Sequence, residues 1–310
     1  MYTEQQEAHM ERVLHYEIDR SGSGLPIGIF LRRQGYSRHV LTQIKSSGPN
    51  ILLNGCPVYT NQPLREGDRL TVRIPETEGS GSILPRPVPF SILYEDEDIL
   101  AVNKPAGTPV HPSPGNYENT LANGLARYFQ TKQEPFVFRC VNRLDRDTTG
   151  LLLLARHALS AALLSSQMAG RRIHRTYRAL ALGQLPASGT IDTPIGRKPG
   201  SIIERCEKQK KGETAVTHFR TLARFPGYSY LELHLETGRT HQIRVHLASI
   251  GHPLLGDSLY GPGKSPLIGR QALHSWGLDF VHPITKEAVH FAAPLPSDMQ
   301  ALLGPDFIPL

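Results

Sequence analysis

Cysteine is scarce in this chain, and its three cysteines are far apart. Cys56, Cys140 and Cys206 form no CxxC pair among the 310 residues. An odd number of widely separated thiols supports neither a disulfide framework nor a cysteine zinc site. A reducing compartment is the simplest environment for such a protein, and we expect the cytoplasm.

Long apolar runs and cofactor signatures are also missing. No apolar run approaches the roughly 20 residues that a membrane-spanning helix needs, so we expect no membrane association. The 14 histidines include no HExxH pattern, and the chain has no GxGxxG loop. The first ten residues are polar and acidic, unlike the apolar core of a signal peptide. We therefore expect neither a cofactor nor a metal.

Acidic residues are absent from two long stretches, Ser21 to Arg65 and Thr148 to Ile191. The first stretch carries the basic residues Arg32, Arg33, Arg38 and Lys45. In the whole chain Lys and Arg outnumber Asp and Glu by 34 to 28, and the isoelectric point is near 9.3. This balance suits a polyanionic partner such as RNA. The alternative for the first stretch is a solvated basic face on a small structural domain.

A Gly/Ser-rich and then Pro-rich segment, residues 77–87, divides the chain and predicts a linker. It separates a predicted small domain at residues 10–76 from a larger one at residues 88–300. In the small domain, two short helices are expected between Leu25 and Ser47, with Ser37 as the N-cap of the second. Strands are expected at residues 51–55 and 69–74.

The larger region alternates strand-like and helical patterns. Helices are predicted at residues 120–129, 158–169 and 242–250, and strands at residues 99–102, 173–182 and 228–235. Thr240 is the predicted N-cap of the third helix. Alternation alone leaves both α/β and α+β folds open.

The densest group of charges is Asn142-Arg-Leu-Asp-Arg-Asp-Thr-Thr-Gly150, directly before the apolar run Leu151–Ala155. It predicts a turn that carries Asp145 between two arginines and enters a buried strand. A carboxylate beside cations stays ionised, as a nucleophile must. Arginine is also a natural partner of phosphate. Asp147, followed by Thr-Thr-Gly, fits the role of an ordinary turn residue better than Asp145 does.

This segment resembles the signature of the RluA-type pseudouridine synthases, and further blocks match that family in the same order. They are Ala101-Val-Asn-Lys-Pro-Ala-Gly107, Arg175-Thr-Tyr-Arg-Ala-Leu180, Leu235-Glu-Thr-Gly-Arg-Thr-His-Gln-Ile-Arg-Val-His-Leu247, Gly251-His-Pro-Leu-Leu-Gly-Asp257 and Tyr260-Gly261. Asn142 departs from the pattern, since the family more often has His there. The resemblance implies an α+β fold, with a long mixed, largely antiparallel sheet and a central RNA cleft.

The same resemblance implies roles for individual side chains. Asp145 would be the catalytic residue, Arg244 its ion-pair partner, and Tyr177 the ring that stacks on the target uracil. Asp145 would attack the ribose or the uracil ring, or assist an elimination at the ribose, and the sequence does not choose among these routes. The implied RNA contacts are Arg143, which enters the RNA stack as the uridine flips out, Arg146, Arg239, and Ile243, which packs against the base. From the local pattern alone, Tyr177 would be a core residue, and the pattern around Arg244 does not decide between a surface arginine and a buried ion-pair partner.

Residues 10–76 resemble the small RNA-binding module that is shared by a small-subunit ribosomal protein and tyrosyl-tRNA synthetases. The segments Ile51-Leu-Leu-Asn-Gly55 and Arg65-Glu-Gly-Asp-Arg-Leu-Thr-Val72 carry this likeness. We therefore expect a small α/β domain that binds RNA through its basic residues.

The sequence thus predicts a cytoplasmic, monomeric RNA pseudouridine synthase that needs no cofactor. Large-subunit ribosomal RNA is the expected substrate, and transfer RNA is the alternative. A non-catalytic RNA-binding ribosome assembly factor is the rival function, against which the intact Asp145, Tyr177 and Arg244 argue. A metal-dependent nuclease is a third possibility, but the sequence offers no ligand set for it.

Overall fold

The computed structural model describes residues 10–76, 83–208, 212–263 and 265–304. Residues 77–82, the first part of the predicted linker, lie outside the described residues. Within the described ranges, no helix is long and apolar enough to cross a membrane.

The first sheet is small and antiparallel. Its strands are β1 (Met10–Glu17), β2 (Ile51–Leu53), β3 (Cys56–Pro57) and β4 (Arg69–Glu76), in the spatial order β1-β4-β2-β3. The helices α1 (Ile27–Arg33) and α2 (Arg38–Ser46) share one hydrophobic core with this sheet. Ser37 caps α2 as predicted, because its hydroxyl accepts the Val40 amide at 3.2 Å.

The second sheet is large and mixed. Its strands are β5 (Ser91–Glu95), β6 (Ile99–Lys104), β7 (Thr149–Ala155), β8 (His174–Leu182), β9 (Ser188–Asp192), β12 (Val216–Phe225), β13 (Tyr228–Leu235), β14 (Leu273–Val281) and β15 (Ala288–Ala292). The order is β5-β6-β7-β14-β8-β13-β12-β9, and β15 also pairs with β14. Of these described pairs only β7 and β14 run parallel. The strands β10 (Ile195–Arg197) and β11 (Arg205–Glu207) form a separate hairpin. This is the mixed, largely antiparallel sheet that the resemblance to the synthase family implies.

The strand β7 is buried along its whole length, as its run of four leucines predicts. Its second residue, Gly150, has φ 108°. A Cβ added there would lie 2.2 Å from the carbonyl oxygen of Ser275. Only glycine allows β7 and β14 to approach this closely.

Four helices accompany the large sheet: α3 (Leu121–Thr131), α4 (Ala158–Ala169), α5 (Gln242–Ser249) and α6 (Ser297–Leu303). The bounds of α4 match the prediction at both ends. The predicted N-cap of α5, Thr240, is wrong. His241 occupies that position with φ 58°, and its side chain makes no capping hydrogen bond.

The helix α4 connects the two sheets. Ala158 and Leu159, at its N-terminal end, belong to the hydrophobic core of the small sheet. Glu76 at the end of β4 accepts the Ala158 amide at 2.9 Å and pairs with Arg139 at 2.7 Å. At the other end of α4, Met168 and Ala169 line a large cleft. The small sheet is therefore packed against the helix that leads into this cleft.

Candidate active site

The turn before β7 is held at its first residue by Asn142, which is buried. Its Nδ2 donates to the Leu151 carbonyl at 3.1 Å, and its Oδ1 accepts the Leu153 amide at 2.8 Å. The side-chain amide thus provides the donor and the acceptor that a neighbouring strand would offer to β7. Asn at this family position therefore fixes the turn, and it also lines the cleft.

The turn is held from below by Lys104, whose side chain is fully buried. Its Nζ donates to the carbonyls of Pro105, Thr108 and Arg146 at 2.8, 2.8 and 2.7 Å. Burial lowers the pKa of Lys104 to about 7, although Asp147 and Asp145 act in the opposite direction. Three carbonyl acceptors match the three donors of an ammonium group. The charged form is therefore the one that fully satisfies these carbonyls.

Asp145 faces the cleft and contacts the guanidinium of Arg244. Arg244 Nη1 donates to Asp145 Oδ2 at 2.9 Å, and the side chain of Asp145 is 24% exposed. The other edge of the guanidinium is bound by Asp257, which accepts from Nε at 2.7 Å and from Nη2 at 2.8 Å. Asp257 also accepts the amides of Leu259 and Tyr260. Arg244 is thus oriented by one buried carboxylate and presents its remaining nitrogen to the other.

Electrostatics favour this arrangement. Burial acts to lower the pKa of Arg244, but its pairs with Asp257 and Asp145 raise it above the ordinary value. Burial acts to raise the pKa of Asp257, but the bonds from Arg244 and from the two backbone amides lower it. The inner pair is therefore ionised, and it places a fixed positive charge beside Asp145.

A second chain of contacts ends near the other carboxylate oxygen of Asp145. His241 Nε2 lies 3.8 Å from Asp145 Oδ1. His241 Nδ1 lies 2.8 Å from the hydroxyl of Tyr260, and that hydroxyl accepts the Arg205 amide at 2.8 Å. The Tyr260 ring also lies against Arg244, with 5.1 Å between the guanidinium carbon and the ring centroid.

An apolar wall adjoins these charges. Tyr177 and Ile243 are buried in one hydrophobic cluster, and Leu144 packs against it. Burial raises the pKa of Tyr177, as does the charge of Asp145, while Arg175 opposes both. The tyrosine therefore stays protonated at neutral pH and offers an aromatic surface next to the carboxylate.

The cleft itself has a volume of about 650 Å³. Five arginines line it together with Asp145 and Tyr177: Arg143, Arg146, Arg171, Arg175 and Arg239. Arg146 pairs with Asp147 at 2.9 Å, and Arg239 pairs with Glu213. Arg143 is exposed and has no salt bridge within the described residues. The structure thus brings all seven predicted site residues of the larger region to one place.

The basic residues of the small sheet's helices lie elsewhere. Arg32, Arg33, Arg38 and Lys45 are exposed on α1 and α2 and do not line the cleft. Among the described residues none of them forms a salt bridge. They form a basic face, defined by these four residues, that is separate from the cleft.

Sequence reasoning assigned no catalytic or positioning role to Lys104, His241, Asp257 or Tyr260. All four lie inside the sequence blocks that resemble the synthase family, and this was the available signal. Their partners could not be inferred, since Asp257 meets Arg244 across 13 residues and Lys104 meets Arg146 across 42.

The fold also assembles a group that the sequence did not indicate, Asp96, Asp98 and His282, whose ligand-type atoms lie within 4.8 Å of one another. His282 Nδ1 accepts two backbone amides, so its proton is on Nε2, which donates to Asp96 at 3.0 Å. Asp98 accepts from Arg12 and contacts His157. Since protein groups occupy these ligand atoms, the donor set fits a structural hydrogen-bond network rather than a metal ion.

Comparisons with known proteins agree with this site. The family model described as RNA pseudouridylate synthase matches residues 98–249. The uncharacterized RNA pseudouridine synthase YjbO of Bacillus subtilis is 45% identical over 87% of this chain and 95% of its own length. The ribosomal large subunit pseudouridine synthase D of Neisseria meningitidis serogroup A is 38% identical over 87% of this chain and 75% of its own length.

A solved structure shares the fold. The human RNA pseudouridylate synthase domain containing 1 protein superposes with a TM-score of 0.57 at 29% identity, over 67% of this chain and 84% of that chain. Together with the mixed sheet and the relatives in Bacillus and Neisseria, this likeness establishes the family. The chain belongs to the RluA-type RNA pseudouridine synthases.

Proposed function

We propose that Asp145 is the catalytic nucleophile of this synthase and acts on a uridine flipped into the cleft. The observation that carries this proposal is the asymmetry of its carboxylate. Oδ2 is held by Arg244, while Oδ1 has no partner within hydrogen-bond distance among the described residues. A carboxylate that is fixed by one oxygen and open at the other suits attack on a positioned substrate.

The reaction is an isomerisation. The bond between N1 of the uracil and C1′ of the ribose breaks, the base rotates, and a bond forms between C5 and C1′. C5 then loses its proton and N1 gains one, so no oxidant, reductant or leaving group is involved. This balance requires no cofactor from the protein.

Tyr177 and Ile243 are proposed to hold the flipped base. Both are buried in the apolar cluster beside Asp145, and aromatic rings commonly stack on extruded bases. Arg143, Arg146 and Arg239 are proposed to bind RNA at the rim. Arg143 enters the space that the uridine leaves, since its side chain is exposed and has no ionic partner within the described ranges.

Large-subunit ribosomal RNA is the proposed substrate, in preference to transfer RNA. A Neisseria relative that is named for the large ribosomal subunit aligns with 87% of this chain, which supports this choice. We further propose that the protein works as a monomer in the cytoplasm, where free cysteines such as Cys56 persist. Residues 10–76 are proposed as a separate RNA-binding domain that uses the basic face of Arg32, Arg33, Arg38 and Lys45.

The test is conversion of uridine to pseudouridine in unmodified large-subunit RNA by the wild type, Asp145→Asn and Asp147→Asn. Asp145→Asn should abolish conversion but keep RNA affinity and thermal stability, because an amide is nearly isosteric and a very poor nucleophile. Asp147→Asn is the matched control and should stay active, since Asn also suits turns.

A fully active Asp145→Asn enzyme would refute the role of Asp145. RNA binding without any conversion by the wild type would favour the assembly-factor function. Conversion of transfer RNA in place of ribosomal RNA would correct the substrate and leave the mechanism intact.

A further inference from the structure

His241 adopts a backbone conformation that is uncommon for residues other than glycine. Its φ is 58°, in the left-handed region, and it occupies the N-cap of α5 without capping the helix. Such a conformation persists where the surroundings fix the residue, often at functional sites. The side chain must therefore be held by contacts other than those of a helix cap.

Those contacts determine where the proton of the imidazole lies. The Arg205 amide can only donate, so the Tyr260 hydroxyl accepts from it. The hydroxyl proton is then directed to the other near neighbour of this oxygen, His241 Nδ1 at 2.8 Å. With Nδ1 accepting, the neutral ring carries its own proton on Nε2, the nitrogen that faces Asp145.

The surroundings also keep the ring neutral. Burial lowers the pKa of His241, Asp145 and Asp257 act to raise it, and Arg244 and Arg205 act to lower it. The net direction is downward from a value already below 7. The Tyr260 hydroxyl is a neutral neighbour, since burial raises its pKa.

Nε2 and Asp145 Oδ1 are 3.8 Å apart, which is too long for a hydrogen bond. Catalytic hydrogen bonds are often long in the absence of substrate and shorten when it binds. If the two atoms approached each other by about 1 Å, they would be within hydrogen-bond distance. Oδ1 is also the oxygen that Arg244 does not hold.

We propose that His241 is a positioning residue, whose Nε2–H, set by Tyr260, orients Oδ1 of Asp145 when RNA is bound. This inference rests on the proposed role of Asp145. The two carboxylate oxygens then have separate anchors, Arg244 for Oδ2 and His241 for Oδ1. Tyr260 acts one step further away, as the group that selects the tautomer.

The first experiment compares His241→Gln with His241→Asn. The glutamine amide reaches about as far as Nε2 and can donate, whereas the shorter asparagine tolerates the left-handed backbone but falls short of Asp145. His241→Asn should lower kcat about ten- to hundredfold, the loss expected for one hydrogen bond to a charged group. His241→Gln should recover most of that loss, and KM for RNA should stay unchanged in both.

The second experiment adds Tyr260→Phe. If Tyr260 acts through His241, Tyr260→Phe should reduce kcat in the wild type and have no further effect in His241→Asn. Independent and additive losses would refute the coupling. Equal loss in His241→Gln and His241→Asn would refute the inference, because a donor restored at the distance of Nε2 would then have no effect.

A spectroscopic measurement tests the inference without using activity. Nitrogen NMR of ¹⁵N-histidine-labelled protein should show His241 neutral at pH 7 with its proton on Nε2, and in Tyr260→Phe this preference should weaken. A proton on Nδ1, or a charged ring, would overturn the inference. Should wild-type protein show the expected tautomer but form no pseudouridine, the proposed function fails separately.

Discussion

Arg244 binds two carboxylates at once, and it makes more hydrogen bonds to one than to the other. Asp257 takes two of its nitrogens and Asp145 takes one. Asp257 holds Nε and Nη2 of the guanidinium, so that only Nη1 is presented to Asp145, in a cleft lined by other arginines. The position of the Asp145 carboxylate therefore depends on Asp257, which is itself buried.

Asp257→Asn should accordingly impair both stability and turnover. It removes a buried charge and leaves Arg244 without its main anchor, which typically costs about 3 kcal/mol of unfolding free energy. Urea unfolding and pseudouridine formation, measured on the same preparation, check this. Asp192→Asn, at an exposed position in β9, is the control and should change neither. Normal activity in Asp257→Asn would show that Arg244 is oriented by something else.

Tyr177 allows the ring to be separated from the hydroxyl. If the ring stacks on uracil, Tyr177→Ala should lose about 1–3 kcal/mol of base interaction and reduce turnover, whereas Tyr177→Phe should remain active. Single-turnover conversion of the two variants distinguishes these outcomes. Equal and severe losses would implicate the hydroxyl in proton transfer.

At the scale of residues, the sequence identified candidate site residues but not the contacts that hold them in place. Asp145, Tyr177 and Arg244 were named from motif likeness, and the structure places them in one cleft. The arrangement of their neighbours was not predictable, because Lys104 and Asp257 act through contacts that depend on the folded chain. Periodicity reports which face of an element is buried, but not which buried groups meet.

At the scale of elements, strong local signals were sufficient to predict the bounds of a helix. The helix α4 was predicted with both ends correct, since an apolar pattern ended at Gly170. The strands β1 and β14 were not predicted, because they pair with partners distant in the chain: Met10 pairs with Glu76, and His274 pairs with Thr149. Thr240 was chosen as the cap of α5 from its residue type, but the cap position is taken by a histidine held by tertiary contacts.

The parallel contact between β7 and β14 predicts the effect of a small substitution. Gly150→Ala would place a methyl group 2.2 Å from the backbone of Ser275 and at φ 108°, so the strands must separate. We expect a loss of more than about 1 kcal/mol in stability, together with reduced turnover, because Gly150 ends the turn that carries Asp145. Thermal unfolding measures the first effect.

Gly227→Ala is a matched control for Gly150→Ala. Gly227 also has positive φ, at 87°, but a Cβ there would meet nothing within 4 Å. Gly227→Ala should therefore lose stability only through backbone strain. Equal destabilisation by the two substitutions would show that strand separation contributes little.

At the scale of the whole molecule, Asp98 links the small sheet to the large one. It accepts from Arg12 in β1 at 2.7 Å and contacts His157, at the N-cap of α4, at 2.9 Å. Burial acts to raise the pKa of Asp98, but the bonds to His157 and Arg12 lower it to about 2. Its stabilising contribution is therefore complete above the ordinary value of 3.8 and is lost as the pH falls towards 2.

Asp98→Asn should remove this part of the acid sensitivity. The free energy of unfolding should drop less between pH 5 and pH 2.5 in the variant than in the wild type, while the variant is the less stable protein at pH 5. Urea titrations at both pH values give the comparison. An identical decrease in both proteins would mean that other carboxylates govern acid unfolding.

The basic face predicts how RNA affinity responds to salt. Replacing Arg32, Arg33, Arg38 and Lys45 with Gln should weaken binding and flatten the dependence of affinity on salt, by about 0.7 to 0.9 logarithmic units per lost phosphate contact. Binding to large-subunit RNA fragments at several salt concentrations measures this slope. Arg127→Gln, an exposed position on α3, should leave the slope unchanged. An unaltered slope in the fourfold variant would identify the face as merely solvated.

The packing of the small sheet on α4 has a consequence for how a uridine is chosen. Ala158, Leu159 and Glu76 join the two parts through buried contacts, so the spacing from the basic face to the cleft is set by a helix rather than by the segment at residues 77–87. If the basic face binds RNA as proposed, this fixed spacing would select a uridine by its distance from a second feature of the folded RNA rather than by its neighbouring bases.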